Sequence, residues 1–344
     1  MRGARPDARD DGYDPCREVV CNTMDNRRSY LEAARMNRNV AESIVATTPL
    51  LKSVTKVDLL DEGFSDDTKY VLWEGTEPKY LLRLSAAELA ARREIDFGIL
   101  RMLAAAGIRC STPHLFGLTV GGEACYSLLG FIPGGSAEKE LPSLTADQQY
   151  EVGLDAGREL RKLHAFKHPD QRRDYAERRI QKYERYTEAA RDMGITFPHQ
   201  ADVHRYIKQR YSELGKYSVG LQHDDYHTAN LIVRDGEFVG VVDFNRCDWG
   251  DPIEDFCKAP WFSAPVSLSF VRGQINGYLA GGRVQAFWAR YNLFVALSLL
   301  SSLVWVQRTF PENRPLFLER IEEIMNTHDF NNGRPPVWYE EGVE

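Results

Sequence analysis

The chain has 344 residues, 43% hydrophobic and 27% charged, with 43 basic against 50 acidic side chains and a net charge of −7. That length suits two domains or one large two-lobed unit, with core enough to need no disulfide framework. A net acidic chain does not suit general nucleic-acid binding, which wants a basic face. A modest acidic excess also keeps a protein in solution, so the total charge says little about a ligand.

The six cysteines, Cys16, Cys21, Cys110, Cys125, Cys247 and Cys257, form no Cys-x-x-Cys pair and no zinc-like spacing with histidine. Reduced thiols in a cytoplasmic protein are the expectation. The first residues are rich in Arg and Asp without an apolar run, unlike a secretory signal. The apolar run Leu293 to Val306 contains three serines. It reads as a buried helix too short to span a bilayer, so no membrane partner is expected.

Residues 1–25 are polar, with Gly3, Pro6, Gly12 and Pro15, and are expected to be disordered. A helix is predicted from about Arg27 to Thr47, closing before Pro49. Alternation then predicts strands over Val54–Leu60, Lys69–Trp73 and Tyr80–Leu84, joined by close turns into an antiparallel meander. Ser85, with Glu88 three residues on, predicts the capped start of a helix that ends at Gly107. Two strands follow, His114–Leu118 and Ala124–Phe131. Pro133-Gly134-Gly135 then marks a boundary between lobes.

Beyond it the pattern is mostly helical. Thr145 is the expected cap of a helix running to about Phe166, and Tyr175–Met193 with Val203–Gly215 reads as a helical hairpin. One β-hairpin interrupts, Leu231–Val233 and Phe238–Val242 about an Asp235-Gly236 turn. Helices return from about Ile253 to Asn326. The fold class is α+β: a small antiparallel β-rich N-lobe with an N-terminal helix over 26–131, a larger mainly helical C-lobe over 132–335, and a tail over 336–344.

The informative stretch is His223-Asp224-Asp225-Tyr226-His227-Thr228-Ala229-Asn230, followed by Asp243-Phe244-Asn245. Asp225 and Asn230 share one loop, and the hairpin folds Asp243 back beside them. Hard oxygen ligands in an open site suit Mg²⁺ bound to substrate phosphates. A carboxylate without a metal duty can orient a hydroxyl and accept its proton. Together these are the needs of phosphoryl transfer from a nucleotide.

The pattern His-x-Asp-x-His-x-x-Asn, with Trp249-Gly250-Asp251-Pro252-x-x-Asp255 after it, resembles the aminoglycoside phosphotransferase and choline kinase superfamily. It does not resemble the protein kinases, because Gly250-Asp251-Pro252 follows Asp243 too closely for an activation loop. The family usually has Gly where Asp224 stands. The resemblance covers about residues 54–260 and implies a protein-kinase-like bilobal fold. It implies Asp225 as the catalytic residue and Asn230 and Asp243 as Mg²⁺ ligands. Arg83 would hold the nucleotide phosphates, paired by Glu94, and Gly63, Phe64 and Ser65 would cover the nucleotide. Leu129 and Phe131 would lie in the hinge beside the base. His223, His227, Arg246 and Asp255 would support the loop.

The implied activity is Mg²⁺-dependent transfer from ATP or GTP to a hydroxyl of an antibiotic, an aminoglycoside first. The alternatives are a metabolic kinase for choline, a sugar or an amino alcohol, a phosphotransferase for a macrolide or peptide antibiotic, and a catalytically silent nucleotide-binding module. Local charge bears on the acceptor. Between Leu221 and Phe256 stand nine acidic residues and two basic ones. Asp224, Asp248 and Glu254 have no assigned duty, so a cationic acceptor is expected to be drawn in, with Asp224 and Asp248 as its contacts.

Overall fold

A computed structural model describes residues 38–60, 67–168, 174–217, 219–280, 282, 284–330 and 332–340. The expected disordered segment, the helix start from Arg27, and Gly63, Phe64 and Ser65 lie outside the described residues.

The N-lobe begins with α1 (38–47) and the strands β1 (Lys56–Leu60), β2 (Thr68–Glu74) and β3 (Glu77–Ala86). Then come α2 (Ala90–Ala105), β4 (Pro113–Leu118) and β5 (Ala124–Gly130). The five strands form one antiparallel sheet in the order β1-β2-β3-β5-β4. Ala41 and Ile44 of α1 pack with Leu72, Leu82, Leu84 and Leu128 on one face. The central strand β3 is covered on both sides, so Leu82, Arg83, Leu84 and Ser85 are all buried.

Ser85 does not cap the helix. The β3–β5 ladder runs on through Ser85↔Cys125 and Ala86↔Ala124, and α2 starts at Ala90 after a single 3-10 turn. Pairing with a full-length neighbour strand outweighs the local capping signal. The Ser85 hydroxyl instead accepts a 3.2 Å hydrogen bond from Arg93 Nε.

The crossing into the C-lobe is β6 (Gly135–Ser136), which pairs with β8 across the boundary. Gly134 there has φ +141°, and a Cβ would lie 2.5 Å from the Val233 carbonyl oxygen, so only glycine fits. The helices α3 (Ala137–Glu140), α4 (Ala146–Leu163), α5 (Tyr175–Asp192) and α6 (Gln200–Gln209) follow. Thr145 opens α4 with a capping box to Gln148.

The site region carries β7 (Gly220–Gln222), β8 (Leu231–Arg234), β9 (Glu237–Val241) and β10 (Asp248–Gly250). Asp235 and Gly236 both take positive φ in the β8–β9 turn, as a two-residue hairpin loop demands. The 3-10 helix Pro252–Lys258 leads to α7 (Leu268–Leu279), α8 (Val284–Thr309), α9 (Arg314–Thr327) and α10 (Val337–Glu340). α4 and α7 pack at very close range: Gly153 and Gly157 face Gly273 and Gly277, and a Cβ on any of them would meet a carbonyl oxygen of the opposite helix at 2.0–2.2 Å. α8 corrects one expectation. Its stretch Ala286–Thr309 is long and apolar enough to cross a membrane, but 72% of the most apolar window is buried inside the protein. Burial, and not shortness, makes it a core helix.

Candidate active site

The loop between β7 and β8 presents the central carboxylate. Asp255, almost wholly buried on the following 3-10 helix, holds this loop from beneath. Its carboxylate accepts from the backbone N–H of His223 at 2.9 Å and of Asp224 at 2.7 Å. It also accepts from His164 Nε2 at 2.9 Å, while the other ring nitrogen of His164 meets the Tyr278 hydroxyl. His223 Nε2 donates to the Val242 carbonyl at 3.0 Å, tying the loop to the end of β9. Asp224 is thereby fixed at φ +60°, a conformation strained for most side chains and free for glycine. That is a physical reason for glycine to be common at such a position and for aspartate to be tolerated.

Asp225 follows in the cleft, its side chain 21% exposed. Asn230 donates from its amide nitrogen to the Asp225 backbone oxygen at 2.9 Å and to its carboxylate at 3.3 Å. His227 Nε2 lies 3.4 Å from the same carboxylate, Lys258 Nζ 3.5 Å and Arg246 3.7 Å. Burial pushes the Asp225 carboxyl up, but Lys258, His227 and Arg246 together hold it well below the usual carboxylate range. Lys258, with its own burial opposing, is kept charged by Asp225 and Asp224.

Asp243 follows the hairpin in the left-handed region, φ +66°, just after Val242, whose N–H donates to the Asn230 backbone oxygen at 3.0 Å. It accepts from Asn245 Nδ2 at 2.6 Å and stands 3.7 Å from Arg83. Arg83 reaches across from β3 and donates to Asn245 Oδ1 at 2.5 Å, so it links the two lobes.

The expected partner of Arg83 is corrected. Its guanidinium donates to Asp67 at 2.9 and 2.6 Å, and Asp67 also pairs with Arg93 at 3.0 Å. Arg93 continues to Asp96 at 3.3 Å. Glu94 is exposed on the outer face of α2. The inner positions of the helix are Arg93, Asp96, Leu100 and Leu103; Glu94 lies about 100° round from Arg93. Burial raises the Asp67 carboxyl, but Arg83 and Arg93 more than offset this and hold it low. At the hinge, Leu129 is buried in β5 and the Phe131 N–H donates to Lys79 O at 3.0 Å.

The acids counted in the sequence are mostly spent inside the fold. Glu254 pairs with Arg179 at 2.7 Å and accepts from Tyr175, and Asp251 is clamped by Arg290. Asp248 lies 3.5 Å from Arg178. Neither Glu254 nor Asp248 is a spare charge. The cations come from α5 and α8, which local counting could not see.

Four further residues enter the site that sequence reasoning missed: Asp67, Arg93, Asn245 and Lys258. Lys258 had a usable signal. It stands three residues after Asp255, one turn of a 3-10 helix, and so shares its face.

A family model, the phosphotransferase enzyme family, matches residues 56–292. The chain belongs to that family. A GDP complex of a mutant aminoglycoside 2'-phosphotransferase-IIIa shares the fold of this phosphotransferase with TM-score 0.62 at 16% identity, covering 86% of this chain and 99% of that one. A choline/ethanolamine kinase family protein from Mesorhizobium loti gives TM-score 0.60 at 16% identity, covering 86% and 97%. The ADP-bound aminoglycoside phosphotransferase APH(2'')-Ib gives 0.58 at 14%, covering 84% and 97%. A search of curated protein sequences returns no match.

This chain is therefore a phosphotransferase with the protein-kinase-like fold. The side-chain oxygen of Asn230 and the Asp243 carboxylate are hard-oxygen donors of the kind that could hold Mg²⁺. Among the described residues no group of three His, Cys, Asp or Glu could hold a metal. Two protein ligands suit an ion that shares its shell with nucleotide phosphates.

Proposed function

We propose that the protein is a Mg²⁺-dependent small-molecule kinase that moves the γ-phosphoryl of ATP or GTP to a hydroxyl. The observation that carries this is the held carboxylate of Asp225, with Asn230 at 3.3 Å on the same loop and Asp243 at the hairpin end. Asp225 orients the acceptor hydroxyl by accepting its hydrogen. The hydroxyl oxygen bonds to the γ-phosphorus, the bond to the β-bridging oxygen breaks, and the proton passes to Asp225 and then to solvent. A carboxylate held so acidic is a weak base, which suits a loose transition state that needs orientation more than early deprotonation. Arg83, fixed by Asp67, faces the phosphates with a permanent charge. When bound, Mg²⁺ would neutralise developing phosphate charge from Asn230 and Asp243.

The resemblance points to an antibiotic acceptor, and the gentamicin and kanamycin complexes among structures of this fold support that reading at 14% and 16% identity. The charge around Asp225 speaks more directly to the acceptor and is developed below. The described cysteines are free thiols, which supports the cytoplasm as the protein's location.

The test is paired. Asp225→Ala is expected to lose transfer by 10³-fold or so while keeping its fold and its nucleotide affinity. Asp243→Ala is expected to abolish the Mg²⁺ dependence of nucleotide binding in calorimetric titration. Full turnover in the first variant, or unchanged Mg²⁺ dependence in the second, overturns the assignment.

A further inference from the structure

The space where an acceptor hydroxyl must lie is set by Asp225, because a hydroxyl it orients sits within about 3 Å of the carboxylate. Lys258 Nζ at 3.5 Å and Arg246 at 3.7 Å share that spot. Lys182 on α5 and Glu254 also act on the neighbouring Asp224, and Glu254 is itself paired by Arg179. The two cations nearest the Asp225 carboxylate are thus Lys258 and Arg246. Lys258 is 23% exposed and Arg246 44%, so both are accessible from solvent. The acids expected to balance them are held by Arg178, Arg179 and Arg290.

We infer that Lys258, with Arg246 beside it, selects the acceptor: a hydroxyl compound with an anionic group, carboxylate or phosphate, close to the reacting hydroxyl. Acceptors that place an ammonium there are rejected. The inference rests on the kinase reading above. Two fixed cations within about 5 Å favour an anion over an ammonium by at least ~10-fold at a partly exposed site. Lys258 acts as a specificity residue, and its pairing with Asp225 also keeps that carboxylate in place.

The experiment uses the full chain loaded with AMPPNP and Mg²⁺, so that nucleotide phosphates fill their own place. Inorganic phosphate, glycerate, glycerol 3-phosphate and kanamycin are titrated in by calorimetry. Glycerate and glycerol 3-phosphate separate a carboxylate source from a phosphate source. At least one anionic probe is expected to bind, and Lys258→Gln to weaken it by ~10-fold or more. Lys258→Arg keeps the charge and is expected to retain the binding. Kanamycin is expected to bind wild type ~10-fold more weakly than the best anion, with the gap closing in Lys258→Gln. AMPPNP·Mg²⁺ affinity is measured for both variants, and the probes are titrated at nucleotide saturation in each, so that a change in nucleotide binding is not read as a change in acceptor binding. The inference is overturned if no anionic probe binds the loaded protein, if kanamycin binds as tightly as the best anion, or if Lys258→Gln changes neither. Should Lys258→Gln fail to fold, the wild-type comparison and Lys258→Arg still decide. Loss of AMPPNP·Mg²⁺ binding in wild type would sink the kinase reading instead.

Discussion

Asp255→Asn gives the sharpest test of how the catalytic loop is held. The carboxylate accepts three hydrogen bonds, from His223 N–H and His164 Nε2 at 2.9 Å each and from Asp224 N–H at 2.7 Å. Asparagine has one oxygen. Its best orientation keeps that oxygen on the His223 and His164 side and turns an NH₂ toward the Asp224 N–H. One charge-assisted bond is lost, at about 1.5–3 kcal/mol, and a buried donor faces a donor. The other two bonds fall from charged to neutral strength. The sum is about 3–5 kcal/mol, a large share of a typical domain's stability. The loop responds as well. Asp224 stays at φ +60° only while its N–H is anchored. Released, the residue is free to leave the left-handed region. Asp225 then moves, and a displacement near 1 Å lowers turnover about 10²-fold. The assay pairs urea unfolding with turnover measured well below the melting temperature. A variant with the wild-type midpoint and wild-type turnover would refute the clamp.

Further expectations follow from the same contacts. Glu94→Ala, on the exposed face of α2, should leave nucleotide affinity and stability within about 0.5 kcal/mol of wild type. Asp67→Asn leaves Arg83 and Arg93 without their shared buried carboxylate and should destabilise by about 3–5 kcal/mol, with weaker nucleotide binding. The opposite ranking in thermal melts and nucleotide titration would restore Glu94 as the partner. His328 is buried, donating from Nδ1 to Ile324 O while its Nε2 meets the Tyr291 hydroxyl. Burial lowers it from the ordinary value of 6.5 to about 4. The unfolded chain binds this proton first, so stability is full above pH 6.5 and falls between pH 6.5 and 4, by about 3 kcal/mol. His328→Gln should flatten that part of the stability–pH curve measured by urea unfolding; an unchanged slope refutes the assignment.

The Thr145 cap, the Asp235-Gly236 turn and the His223–Asn230 loop were legible because each is a local arrangement. Backbone chemistry within a few residues decides a capping box or a two-residue hairpin. The Asp225, Asn230 and Asp243 grouping needed only one hairpin to close. Ser85 was misjudged because β5, forty residues away, extended the strand through it. Arg83 met Asp67 in place of Glu94 because the rotation of α2 against the sheet is a packing outcome. One residue along a helix separates an inner face from an outer one.

Charge shows the division most clearly. The nine acids of the Leu221–Phe256 stretch are a property of the chain, and so are the hard oxygens they carry. Their availability is not. Arg178 and Arg179 on α5 and Arg290 on α8 neutralise three of them, and Lys258 and Arg246 stand 3.5 and 3.7 Å from Asp225. Coulomb energy depends on distance through space, and the folded chain brings together charges far apart in sequence. The order of residues therefore sets the type of chemistry, phosphoryl transfer. The packing of α5 and α8 against this region decides which of those acids are paired inside the fold.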